Sequence, residues 1–270
     1  MIINHILSTA KRNLTMQTRA YPVDFFVSKL LGCFFTILGA FFMYTIVFKG
    51  NVSIHFIKFS GTSDYMSFAI LGCFTNLFVR GTFLNVSRSF ITEMREGTLD
   101  SLLISPVNYM GYLSGNMLEQ TMITSGELLA AMIITLPFGL RFPNIDVAST
   151  LLCIAITLIS LFGMAIILAG IMVYFKDTYL SQNTVFSVIF LTTGVLFPIQ
   201  YLPSWIQVIS NCIPVTYALR ILRNSVLTGL DIVTQARDFT ALALLSVIYF
   251  SVGVLLIHKV MKKAPEKQFI

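Results

Sequence analysis

The sequence predicts an all-α polytopic membrane protein with six transmembrane helices, an N-terminal interfacial helix, a short cytoplasmic helix after the second span and re-entrant outer helices between spans five and six. Three observations predict it. Only 11% of the 270 residues are charged and 56% are hydrophobic, with a mean hydropathy of +0.83, too little polar surface for a water-soluble domain of this length. Apolar stretches recur at the length a bilayer demands, because a helix needs about 20 residues to cross roughly 30 Å of hydrocarbon with its backbone groups satisfied internally. Basic residues also fall unequally on the two sets of connecting segments.

The elements follow in chain order. Residues 1–28 carry Ile3, Leu7, Ala10 and Leu14 at helical spacing, with Lys11 and Arg12 off that stripe. This pattern suits a helix lying in the cytoplasmic interface and ended by Tyr21-Pro22, the alternative being a mobile tail. Spans are expected at 30–48, 65–87, 109–140, 147–175, 179–199 and 239–257, with five spans as the alternative if 65–87 does not cross. The first long apolar run starts only at Leu30 and is full length, so it reads as a retained span and not as a cleaved leader. An N-terminus in the cytoplasm puts Lys11, Arg12, Arg19, Lys29, Arg88, Arg95, Lys176, Lys259, Lys262, Lys263 and Lys267 inside. Lys49, Lys58, Arg141, Arg220, Arg223 and Arg237 then lie outside, with Arg80 within a helix. The inside excess favours cytoplasmic N- and C-termini in a multi-pass protein of the cell (inner) membrane. The net charge of +6 then reflects loops facing anionic lipid, and no nucleic-acid partner is indicated.

Several chemistries lack their residues. Cys33, Cys73 and Cys153 fall in spans and Cys212 in an outer segment, with no Cys-x-x-Cys pair; His5, His55 and His258 are scattered, so no metal site is expected. No Gly-x-x-x-x-Gly-Lys-Ser/Thr loop is present, so the chain does not itself cradle ATP phosphates. No nucleophile elbow is present either, since Gly111-Tyr-Leu-Ser-Gly115 has the wrong spacing. An enzyme built on these chemistries is therefore not expected.

Two segments carry mechanism. Within 93–106, a helix beginning near Thr92 would align Glu93, Glu96 and Asp100 on one face, interrupted by Gly97 and Thr98. Leu99, Leu102, Leu103 and Ile104 would supply an apolar side, and Pro106 would close the element. A short acidic helix of this kind can enter a groove on a soluble partner; a solvated loop is the alternative. In residues 200–230 and just before them, Gly194-Val-Leu-Phe197-Pro198, Leu202-Pro203-Ser-Trp205 and Asn211-Cys-Ile-Pro214-Val-Thr-Tyr217-Ala-Leu-Arg220 cannot form one straight helix, since each proline removes a donor and clashes with the preceding turn. Pro214 suits the first turn of a new helix. Val215, Ala218, Leu219, Leu222 and Val226 form its stripe, with Arg220, Arg223 and Asn224 elsewhere, and Gly229 stops it. Tyr201, Trp205 and Tyr217 would sit at headgroup depth; an amphipathic surface loop is the alternative.

The Glu-Gly-Thr-Leu-Asp element after the second span and the Gly-x-x-Phe-Pro…Leu-Pro-x-Trp…Pro-x-Thr-Tyr…Arg segment after the fifth resemble the membrane subunit of ABC type-2 exporters, a group that includes drug, lipo-oligosaccharide and polysaccharide exporter permeases. The resemblance covers the whole chain in length, span order and loop placement. It implies a half-transporter that pairs with a second permease copy, as a homodimer or heterodimer, and docks two copies of a separate ATPase. Cofactors are then none in this chain, with ATP and Mg bound by the partner. The docking (coupling) helix would be Glu93, Glu96, Gly97, Thr98, Leu99 and Asp100. The re-entrant gate would involve Phe197, Pro198, Pro203, Trp205, Pro214, Tyr217 and Arg220.

Charges inside spans are the remaining signal. Arg80, Glu119 and Glu127 must face protein or water, because an unpaired charge at the bilayer centre costs roughly 2.5 kcal/mol or more. An Arg80–Glu119 pair joining the second and third spans is the favoured reading, a polar lining or gate the other. Gly32, Gly39, Gly163 and Gly170 read as close-packing sites. The expected function is ATP-driven export of an amphipathic, lipid-linked or drug-like molecule out of the cytoplasm or inner leaflet. The alternatives are an ion-coupled secondary transporter using Glu119 and Glu127, and an intramembrane enzyme.

Overall fold

A computed structural model describes residues 2–20, 22–50, 52–98, 109–136, 144–175 and 180–268. Among these the chain is helical, without a strand. The helices are α1 (Ile2–Ala20), α2 (Pro22–Phe42), α3 (Ile54–Ser60), α4 (Tyr65–Arg95), α5 (Tyr109–Thr135), α6 (Val147–Phe175), α7 (Leu180–Thr192), α8 (Ser204–Cys212), α9 (Pro214–Arg223) and α10 (Ala236–Gln268). Three of them, α4, α6 and Ala236–Lys262 of α10, are long and apolar enough to cross a membrane.

The physical logic of each boundary is local. Pro22 opens α2 directly after α1, because its missing N–H costs nothing in a first turn; the first apolar helix thus starts eight residues before the expected 30. Asp64 caps α4, its carboxylate accepting from the Ser67 N–H at 3.1 Å, and α4 then runs 31 residues. At 1.5 Å per residue that is about 46 Å, well beyond a bilayer core, so its last turns extend past the expected end at 87. One π-helical turn, Val79–Leu84, interrupts α4. By contrast α7 ends at Thr192, short of the expected 199. Gly194 there takes a left-handed backbone (φ 78°), which a β-branched or bulky side chain resists, and the Thr192 and Thr193 hydroxyls donate back to the Val188 and Ile189 carbonyls.

Packing centres on α4, α5, α6 and α10. Phe83, Phe90, Leu113, Leu161, Ile166 and Met172 are among the fully covered core side chains. The α6–α10 crossing is close because Gly163 and Gly253 face each other: a Cβ on Gly163 would lie 2.6 Å from the Phe250 nitrogen, and one on Gly253 2.8 Å from the Gly163 carbonyl oxygen. Gly170 is similarly tight against Leu256, at 2.1 Å. Gly32 and Gly39, expected to pack closely, have nothing within 4 Å of an added Cβ. α1 lies against α5, where a Cβ on Gly115 would come within 2.8 Å of the Ile6 carbonyl oxygen. Cys73 and Cys153 are buried and Cys212 is exposed.

Candidate functional site

The first site is the end of α4. Glu96 is the C-cap and Gly97 is left-handed, with φ 70°. The Gly97 N–H donates to the Met94 carbonyl at 3.3 Å and the Thr98 N–H to the Glu93 carbonyl at 2.9 Å. These two bonds are a Schellman cap, so Glu-Gly-Thr terminates a helix instead of continuing one. The expected acidic face is corrected accordingly. Glu93 points inward and is only 8% exposed, whereas Glu96, Gly97 and Thr98 are exposed. Leu99, Asp100 and the rest of the expected docking helix lie outside the described residues.

Glu93 is instead the centre of a knot. Its Oε1 accepts from Arg12 Nη2 at 2.8 Å and from the Tyr112 hydroxyl at 2.9 Å, and its Oε2 accepts from the Thr98 hydroxyl. Asn13 Nδ2 adds a bond to Asn116 Oδ1 at 2.6 Å. Helices α1, α4 and α5 are thereby tied at one end of the molecule, directly before the 99–108 segment. Burial alone would lower the pKa of the Arg12 guanidinium, but the hydrogen bonds and charges of Glu93 and Tyr112 raise it above its ordinary value. Arg12 and Tyr112 carried no local signal in the sequence, because their role depends on a carboxylate 81 and 19 residues away.

The second site is the broken segment after α7. Pro198 precedes a 3₁₀ turn at Ile199–Tyr201, Pro203 occupies the N-cap of α8, and Pro214 sits in the first turn of α9. The Ser210 hydroxyl donates to the Thr192 carbonyl and the Thr216 hydroxyl to the Ser210 carbonyl at 2.7 Å, which fixes the turn between the short helices. Phe197 is half-buried and Trp205 is 66% exposed. Arg220 pairs with Asp238 at 2.9 Å and lies over the Tyr217 ring.

Arg223 departs from expectation. Placed off the apolar stripe, it is nevertheless 93% covered, at 7% exposure. Its Nε donates to the Phe68 carbonyl at 3.2 Å, Nη1 to the Gly194 carbonyl at 2.9 Å and Nη2 to the Val195 carbonyl at 2.6 Å. The guanidinium carbon stands 3.4 Å from the Phe68 ring centroid, a cation–π contact. The unwound Gly194–Val195 chain has carbonyls with no helical donor, and Arg223 supplies donors to them while stapling the break onto α4. Gly72 makes room for this: a Cβ there would meet the Val195 oxygen at 2.0 Å. The only sequence hint was the coincidence of a glycine break with a nearby arginine.

The expected Arg80–Glu119 pair is not formed. Arg80 is exposed, while Glu119 is 1% exposed and its Oε2 accepts from the Gln120 amide at 3.0 Å. At this level the polar link between α4 and α5 runs from Asn85 Nδ2 to Gln120 Oε1 at 2.8 Å, and Gly81 packs against Thr124, so Arg80 does not stand level with Glu119. Glu127 is half-buried. Among the described residues no group of His, Cys, Asp or Glu could hold a metal ion.

A search of curated proteins found no match to this chain. The family model for the ABC-2 type transporter matches residues 12–227, a stretch that contains both the α4 cap with its Arg12 partner and the proline-broken segment with Arg223. The chain therefore belongs to the ABC-2 type transporter family, as a membrane permease subunit.

Proposed function

We propose that this permease is half of an ATP-driven exporter that moves an amphipathic, lipid-linked or drug-like molecule out of the cytoplasm or inner leaflet. Two copies of a separate ATPase dock at the segment after α4, two permease copies enclose the path, and both chain termini face the cytoplasm. The short helices α8 and α9 re-enter the outer leaflet. ATP and Mg belong to the partner, whose closure moves the docking segment.

The single observation that carries this reading is the knot of Arg12, Glu93 and Tyr112. A segment that receives a push from a soluble partner must stand on something stiff, or the push is lost in local bending. Here the chain leaves α4 through a Schellman cap and is tied at that point to two other helices, so displacement of the segment is passed to α1, α4 and α5 together. Glu96 stays exposed at the cap, placed to meet a basic partner surface. The test is whether an ABC ATPase from the same cells co-purifies with this chain, followed by ATP-dependent transport by that complex in proteoliposomes. Glu96→Lys is expected to lose the ATPase while inserting normally; retained co-purification and transport would overturn the docking assignment.

A further inference from the structure

Between α3, the 3₁₀ turn at Ile199–Tyr201 and α9 lies a cavity of about 60 Å³, lined by Arg220, Arg223, Asn224, Gln200 and Thr216, with Phe59 at its apolar rim. Among the described residues its lining contains two arginines and no carboxylate. From its position and chemistry we infer that this cavity is an anion site that receives the phosphate-like headgroup of an amphiphile.

The argument starts from Arg223. Buried charges are ordinarily paired, because carbonyl dipoles alone replace only part of what water supplied. Arg223 is buried with three carbonyl acceptors, and among the described residues its ion pairs with Asp or Glu number none. A guanidinium has five N–H donors, so after three carbonyls are served the Nη1 and Nη2 groups each retain a hydrogen. Arg220 stands one helical turn away on α9 and is held by Asp238 through a single nitrogen, Nη1. The side-chain amide of Asn224 adds neutral donors at the same wall. The chemistry of the wall is thus positive and donor-rich, and arginine forks match the geometry of phosphate and carboxylate oxygens.

The rim decides which source of oxyanion the site favours. Phe59 packs edge-on against Tyr201 at 5.8 Å between centroids, and Tyr201, Trp205 and Ile54 are exposed apolar or amphipathic side chains close by in the chain. A free anion has no use for such a border, whereas the alkyl part of an amphiphile does. The inference deepens the exporter reading, since it assigns a headgroup chemistry to the cargo or to a lipid at the exit, and it rests on that reading only for the direction of movement.

The experiment is isothermal titration of the purified full chain in a nonionic maltoside detergent, without ATPase or nucleotide. The probes are dihexanoyl phosphatidic acid, dihexanoylglycerol and inorganic phosphate. Saturable binding of the phosphatidic acid is expected, with the uncharged glyceride at least about tenfold weaker, as loss of a charge-assisted contact implies. Asn224→Asp places a competing carboxylate in the wall without touching the buried Arg223, and Arg220→Gln removes the half-exposed cation. Each should weaken phosphatidic acid binding about tenfold or more, in a chain whose helical circular dichroism matches that of the wild type. Equal affinity for inorganic phosphate would support the anion site and reassign its source to a free anion. Absence of saturation, or unchanged affinity in both variants, would overturn the proposal. Because no ATPase is present, failure here leaves the exporter reading standing, and failure of ATPase docking leaves this site standing.

Discussion

Glu93→Ala gives the most direct measure of the knot at the end of α4. Three bonds to one carboxylate are lost. The Arg12 partner is half-exposed, with 48% of its side chain accessible against 10% for Glu93, so this pair is discounted toward the surface value of about 1 kcal/mol. The Tyr112 hydroxyl is buried, and an O–H bond to a charged acceptor there contributes about 2 kcal/mol. The exposed Thr98 hydroxyl finds water and adds little. The end of α4 is therefore weakened by about 3 kcal/mol in all, but only the Arg12 share of about 1 kcal/mol ties α1, equivalent to an undocked α1 population larger by about fivefold. Hydrogen exchange on the detergent-solubilised chain reads this directly, because amides of α1 exchange through its local undocking while the α6–α10 crossing at Gly163 and Gly253 serves as an internal reference. Faster exchange confined to α1 and the start of α5 is expected. Unchanged protection of α1, or equal loss of protection in α6, would refute the reasoning. Pairing the change with Arg12→Met in a double-mutant cycle should return a coupling of about 1 kcal/mol, the ion pair's own share.

Three further outcomes are expected. Gly72→Ala puts a methyl group 2.0 Å from the Val195 oxygen and 2.7 Å from Arg223 Nη2, an overpacking that should destabilise by about 1–3 kcal/mol; a thermal melt identical to wild type would show that the break is not pinned against α4. In a background without native cysteines, a cysteine at Ser204 should react with an impermeant thiol reagent from outside and one at Lys262 should not, both positions being exposed in the fold; the reverse labelling inverts the orientation. Trp205→Ala removes a ring that is 66% exposed and so costs the protein core little, while export should fall several-fold with the ATPase still bound. Transport and hydrolysis measured on the same proteoliposomes check this, and unchanged export would reduce α8 to a surface loop.

What could be read from residue order alone were the features that depend on neighbours in the chain. Pro22, Pro203 and Pro214 start or flank helices because a missing N–H is harmless in a first turn. Gly229 ends the α9 segment in a left-handed turn. The stripe of Val215, Ala218, Leu219 and Val226 is buried as helical periodicity requires. The same local reasoning misplaced the acidic element, since Gly97 can interrupt a helix or cap it, and only the Thr98-to-Glu93 bond decides between the two.

The partnerships of the charged side chains were decided by tertiary structure. Arg12 meets Glu93 across 81 residues and Arg223 meets Phe68 across 155, distances over which no periodicity carries information. Arg80 and Glu119, placed at matching depth by counting along two helices, end with one exposed and the other covered, because Gly81 lies against Thr124 and Asn85 against Gln120, which leaves Arg80 and Glu119 at different levels of the α4–α5 contact. Hydropathy by itself thus determined that this chain is helical and lives in a membrane, since each helix satisfies its own backbone and each apolar stretch its own solvent. Which polar groups lie inside it, and what they hold together, was decided only by the folded helices, because a buried charge is stable solely where other segments deliver its partners.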